Sequence, residues 1–142
     1  MANKKRNYQK CSNTSMNNNK GDIYASLISA HHSRKRALLD GNIITLNAFV
    51  GEGLVFISSY SKTQTRLDIF SAFPKGTLKN ERMFSCDMST RIYVDIGILI
   101  YAAKAKVVNG DTSIEGIMRS TTIYSLSDNG LQLSSQHQSQ ME

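Results

Sequence analysis

A chain of 142 residues can bury one core, and 40% hydrophobic against 20% charged residues is the balance of an ordinary globular protein. No apolar run approaches the ~20 residues that span a bilayer, and the start of the chain lacks the apolar stretch of a secretory signal. These features predict a cytoplasmic protein with no membrane partner, and two cysteines, Cys11 and Cys86, are too few for a disulfide framework.

The net charge of +6 is uneven. Lys4, Lys5, Arg6, Lys10 and Lys20 stand near the start with no acid among them, leaving twelve basic against eleven acidic residues in the rest. A nearly neutral body makes a nucleic-acid partner an unfavoured reading. Residues 1–21 are rich in Asn, Ser and Lys and too poor in apolar side chains to offset their ordering entropy, so they read as a disordered basic tail. Residues 22–140 read as a single domain.

That domain opens with helices. Asp22 suits an N-cap, and Ile23, Leu27, Ala30, Arg34, Ala37 and Leu38 follow at helical spacing until Asp40-Gly41 stops the run. The cluster Arg34-Lys35-Arg36 reads as the solvated face of this helix. Asn42 can cap a short second helix through Phe49, with Ile43, Leu46, Phe49 and Val50 on its buried side. Leu54–Ser58 is a short β run, and Thr65-Arg66-Leu67-Asp68 has the form of a capping box opening a third helix that Pro74-Lys75-Gly76 closes.

From Arg82 to Gln140 the pattern is a four-stranded meander. Asn109-Gly110 and Asn129-Gly130 are two-residue hairpin signals, with a weaker loop at Val94-Asp95. These turns pair Lys104 with Glu115, Tyr101 with Met118, Leu126 with Leu133, Thr122 with His137, Ile92 with Gly97 and Met88 with Tyr101. One face then collects Phe84, Cys86, Met88, Leu99, Tyr101, Met118, Tyr124, Leu133 and His137, and the helices must cover it. The other face carries Ile96, Ile98, Ile100, Ala102, Ile117 and Ile123, rimmed by Ser89, Arg91, Arg119, Gln136 and Gln138. With no helix left for this second apolar face, a homodimer through Ile98, Ile100, Ile117 and Ile123 is the expectation.

The order of helix, Leu38-Leu39-Asp40-Gly41-Asn42, short helix, Leu54–Ser58, a Thr-started helix, Arg119-x-Thr121-x-Ile123-Tyr124, Asp128-Asn129-Gly130 and His137-Gln138-Ser139 resembles the nuclear transport factor 2-like superfamily. The nearest likeness is to its SnoaL-like branch and to bacterial domains resembling the calcium/calmodulin-dependent kinase II association domain. The resemblance covers about residues 22–139. It implies an α+β fold in which a cone-shaped, curved antiparallel sheet wraps N-terminal helices around a pocket, a cystatin-like roll that is usually dimeric. The sequence departs from the family pattern at Asn42, Leu131 and Thr122, where aspartate, tryptophan and a pocket arginine are common, and at Val94 and Tyr101, where glycine is.

Enzymes of that superfamily use carboxylates or a His–Asp pair facing the pocket. The inward face read above has no carboxylate, so a non-catalytic module for a small apolar ligand is the first reading. Its pocket would be lined by Phe56, Phe70, Met88, Tyr101, Met118, Thr122, Tyr124 and His137. The alternative is an isomerase, dehydratase or cyclase for an apolar cyclic substrate, with His137 as base and Tyr101 or Tyr124 as donor to an oxyanion. His31 and His32 are adjacent on a helix and cannot make an i, i+4 metal pair. Neither metal nor cofactor is expected, since zinc, phosphate-loop and serine-hydrolase signatures are absent.

Overall fold

The computed structural model describes residues 21–72, 78–127 and 130–141. The basic tail up to residue 20, the Pro74-Lys75-Gly76 helix stop and Asn129 of the last turn lie outside them. Helix α1, Gly21–Asp40, buries Tyr24, Leu27, Ala30, His31, Arg34 and Ala37, spaced by one to three residues along one face. Gly41 ends it in the left-handed region, φ +67, which glycine enters without a Cβ penalty. Helix α2, Ile43–Phe49, is capped by the Asn42 side chain, whose oxygen accepts the Thr45 N–H at 3.1 Å.

Strand β1, Val50–Ile57, and the short β2, Thr63–Thr65, lead into helix α3, Arg66–Ala72. The start of α3 is the expected reciprocal cap. The Asp68 carboxylate accepts the Thr65 N–H at 2.8 Å and the Thr65 hydroxyl accepts the Asp68 N–H at 3.2 Å. Four long strands follow: β3 Leu78–Ile92, β4 Ile96–Asn109, β5 Thr112–Ser127 and β6 Gly130–Gln140. No helix among the described residues is long and apolar enough to cross a membrane.

The six strands form one sheet in the order β2-β1-β6-β5-β4-β3. The sheet is antiparallel, as expected, at every pairing but one: β1 runs parallel to β6. The fold is α+β, with a curved sheet around α1, which packs on β3, β4 and β6. One close approach depends on glycine. A Cβ on Gly97 would stand 3.1 Å from Leu27 Cδ1, so the missing side chain lets the fully buried Leu27 lie directly on β4.

The hairpin registers differ from those expected. Gly110, φ +61, takes the first of the two turn positions, so Asn109 pairs with Thr112 and the β4–β5 register moves by two residues. Lys104 therefore faces Ile117, Tyr101 faces Ser120, and Glu115 forms its ion pair with Arg82. A shift of two preserves the faces. Leu99, Tyr101, Ala103, Met118 and Tyr124 are buried on the inner side, and Ile98, Ile100, Ile117 and Ile123 stand half-buried on the outer side.

Bulges in β3 and β6 do change faces. In β3, Asp87 and Met88 together stand against Tyr101 alone, with Asp87 at φ +55; Ile92 still pairs with Gly97, but Met88 does not face Tyr101 as a regular partner. Beyond this bulge Ser85 turns inward, while Cys86 meets Ala102 on the outer side and Phe84 is 56% exposed. In β6, Ser134 is the extra residue, because Tyr124 pairs with Leu133 and Ile123 with Ser135. Leu126 pairs with Leu131 rather than Leu133, Thr122 pairs with Gln136, and His137 pairs with Thr121. Gln136 is buried on the inner side and His137 is exposed on the outer, the reverse of the expected placement.

Candidate functional site

Between the concave inner face and the helices lies a cavity of about 300 Å³. Its walls are apolar: Leu38 from α1, Leu46 from α2, Phe56 from β1, Phe70 from α3, Met118 from β5 and Leu133 from β6. The mouth is polar, formed by Ser58, Tyr60 and Lys62 of the β1–β2 loop and by Asp68. That loop is held by its own hydrogen bonds. The Ser58 hydroxyl accepts the N–H groups of Tyr60 and Lys62, each at 3.3 Å, and the Ser58 N–H donates to the Lys62 carbonyl at 2.9 Å. Asp68 is kept below the usual carboxylate range by its bonds to the Thr65 backbone and hydroxyl.

The inner end of the cavity is different. Arg34 lines it while only 4% exposed. Its Nε donates to the Tyr124 hydroxyl at 2.9 Å, one terminal nitrogen to the Tyr101 hydroxyl at 3.3 Å, and the other to Gln136 Oε1 at 3.4 Å. Gln136 in turn donates to the Ser120 hydroxyl at 2.9 Å. Arg34 thus ties α1 to β4, β5 and β6 through neutral groups alone. No carboxylate among the described residues pairs with it.

Burial works against the Arg34 charge, but the phenol oxygens of Tyr124 and Tyr101 outweigh it and hold its pKa above the ordinary arginine value. Burial also raises the Tyr124 phenol despite the neighbouring guanidinium, so that phenol is protonated near neutral pH. A buried cation here is matched by dipoles and not by an anion. Behind it, His31 packs its ring 4.4 Å from that of Tyr101 and shares a 3.1 Å hydrogen bond between Nε2 and the Ser85 hydroxyl. Burial and the Arg34 charge lower the His31 pKa to about 2.

Of the residues singled out in the sequence, Phe56, Phe70 and Met118 line this cavity. Tyr101 and Tyr124 stand behind the wall, fully buried, with their hydroxyls on Arg34. Thr122 is turned away from ligand chemistry by its own bond, its hydroxyl donating to the Leu99 carbonyl at 2.7 Å. Met88 packs on the core outside the lining. His137 faces out of the sheet, because the Ser134 bulge reverses the end of β6.

Arg34 and Gln136 were the residues missed. Arg34 sits at core spacing with Leu27, Ala30 and Ala37, which contradicts its reading as part of a solvated cluster.

No protein-family model and no curated protein matches the chain. Solved structures do. A nuclear transport factor 2-like protein from Cytophaga hutchinsonii aligns with a TM-score of 0.78 at 16% identity, over 89% of this chain and all of the other. One of unknown function in nutrient uptake from Rhodospirillum rubrum aligns at 0.76 and 19% identity, over 82% of this chain and 98% of its own. The calcium/calmodulin-dependent kinase II hub of S. rosetta aligns at 0.69 and 13% identity, over 82% and 95%. The likeness is of fold, and it bears out the architecture that the sequence resemblance implied.

Proposed function

We propose that this nuclear transport factor 2-like fold is a homodimeric binding module for a small, largely apolar ligand held between sheet and helices. The cavity carries the reading. At about 300 Å³, with apolar walls from both sheet and helices and a few polar groups at its two ends, it has the size and lining of a small-molecule site. The alternative, an isomerase, dehydratase or cyclase with His137 as base, has less support. Such chemistry needs a proton acceptor facing the substrate, whereas His137 is exposed on the far side of the sheet and Asp68 is engaged by Thr65 at the mouth.

The second copy would cover the outer face. Ile98, Ile100, Ile117 and Ile123 form a half-buried apolar stretch there, continued by Ile96 and Phe84, which are 38% and 56% exposed. A contiguous apolar patch of this kind is the usual core of an interface. The hub and nuclear transport factor 2-like structures share the fold that presents this face.

Two measurements test the reading. Light scattering at micromolar concentration should give a dimer that Ile100→Glu converts to a monomer; a monomeric wild type would overturn the dimer. A thermal-shift screen with small apolar cyclic ketones and alcohols should give stabilisation without turnover. Conversion of any of them by the wild type would favour the enzyme instead.

A further inference from the structure

The cavity has one feature that an apolar ligand leaves unexplained. Arg34 is nearly fully buried, lines the cavity, and is surrounded by neutral partners. A guanidinium carries five N–H donors. Three are taken by Tyr124, Tyr101 and Gln136, and two have no partner among the described residues. As a strut between α1 and the sheet a neutral side chain would serve as well, because a buried charge without a counter-charge is costly. The fork geometry of a guanidinium is suited to a planar carboxylate, which it can bind through two parallel hydrogen bonds.

Building on the pocket reading above, we infer that the ligand is a monocarboxylate with an apolar body. Its carboxylate seats on the two remaining N–H groups of Arg34, and its body lies against Leu46, Phe56 and Met118. Charge balance selects the class. One buried cation neutralises one negative charge, whereas a phosphate monoester would bring nearly two and leave the excess in an apolar enclosure. Lys62 does not supply the balance at depth, since it stands in the β1–β2 loop at the mouth, where Asp68 of α3 is a charged neighbour. The network also fixes the geometry: Tyr124 and Tyr101 hold the guanidinium in place before the ligand arrives, so little ordering is required on binding.

Matched probes test this on the full chain by calorimetry at neutral pH: 4-phenylbutyrate, its uncharged counterpart 4-phenylbutanol, and phenyl phosphate. The acid should bind about tenfold to a hundredfold more tightly than the alcohol, the range expected for hydrogen bonds to a charged group. Arg34→Met should remove that preference. The comparison of acid with alcohol in the wild type decides the matter even if the variant does not fold. Equal affinities would overturn the carboxylate inference and leave the pocket reading standing. Binding of neither would overturn both, and phenyl phosphate binding as tightly as the acid would overturn the selection of a monoanion.

Discussion

Mild acid should destabilise this protein through a group that does not line the cavity. His31 is fully buried on α1, with Nε2 on the Ser85 hydroxyl and Nδ1 without a partner among the described residues. Burial first, and the Arg34 charge second, bring its pKa from 6.5 to about 2. Above pH 6.5 the imidazole is neutral in both states and contributes no pH dependence. Below it, the unfolded chain takes up a proton that the folded protein refuses, so stability falls with pH until about 2. The slope approaches about 1.4 kcal/mol per pH unit below the unfolded-state value, which integrates to roughly 2.3 kcal/mol between about pH 6.5 and 4.5. That is a large part of the ~5–15 kcal/mol that typically separates folded from unfolded states.

The assay is urea denaturation of the wild type and His31→Gln from about pH 7.5 down to about pH 4.5. Glutamine can keep a hydrogen bond to Ser85 but cannot titrate. The variant should lose less stability on acidification, the gap between the two proteins changing by about 1.4 kcal/mol per unit below pH 6.5. His32 is also lowered, by partial burial and then Lys35, but it is common to both proteins and cancels. Parallel pH profiles would show that His31 does not drive the acid sensitivity.

Two further substitutions probe the packing around the site. Tyr124→Phe removes the shortest hydrogen bond to Arg34, and denaturation should show a loss of about 1.5–3 kcal/mol; an unchanged midpoint would mean that the guanidinium does not depend on this contact. Gly97→Ala drives a Cβ towards the fully buried Leu27, and should cost about 1–3 kcal/mol by the same assay, as overpacked cores do. In the double variant Gly97→Ala, Leu27→Ala much of that clash should disappear, which a double-mutant cycle would detect.

The parts of the fold that were legible are those where local chemistry and periodicity agree. Asn42 and the Thr65–Asp68 pair announce their helices because the capping side chains sit beside the N–H groups they satisfy. The alternation of β4 and β5 assigned inner and outer faces correctly even though the turn moved, since a slip of two residues leaves a strand's faces unchanged. The bulges were not legible. Around Ser134 the run Ser134-Ser135-Gln136-His137-Gln138 has no apolar alternation to mark which side is buried, so one inserted residue exchanged Gln136 for His137 unseen. Around Asp87 the flanking Phe84, Cys86 and Met88 looked like one apolar face, and the bulge divides them.

The cavity was legible in outline and misread at its inner end. Phe56, Phe70 and Met118 follow from the strand and helix patterns. Arg34 falls on the buried stripe of α1, but a charged residue beside Lys35 and Arg36 suggests solvent by composition. Periodicity outweighed composition here, because the Tyr101, Tyr124 and Gln136 side chains from three strands converge on Arg34. That convergence is a tertiary property with no local signature.

The space between sheet and helices is proposed to hold a small ligand. Fluorescence titration with the neutral probe 1-aminoanthracene tests it most directly, comparing the wild type with Ala105→Trp, which places an indole into the cavity from β4. Saturable binding with enhanced fluorescence is expected in the wild type, and its loss in a variant that remains folded by circular dichroism. Equal binding by both proteins would place the probe elsewhere on the surface and contradict a ligand site in this cavity.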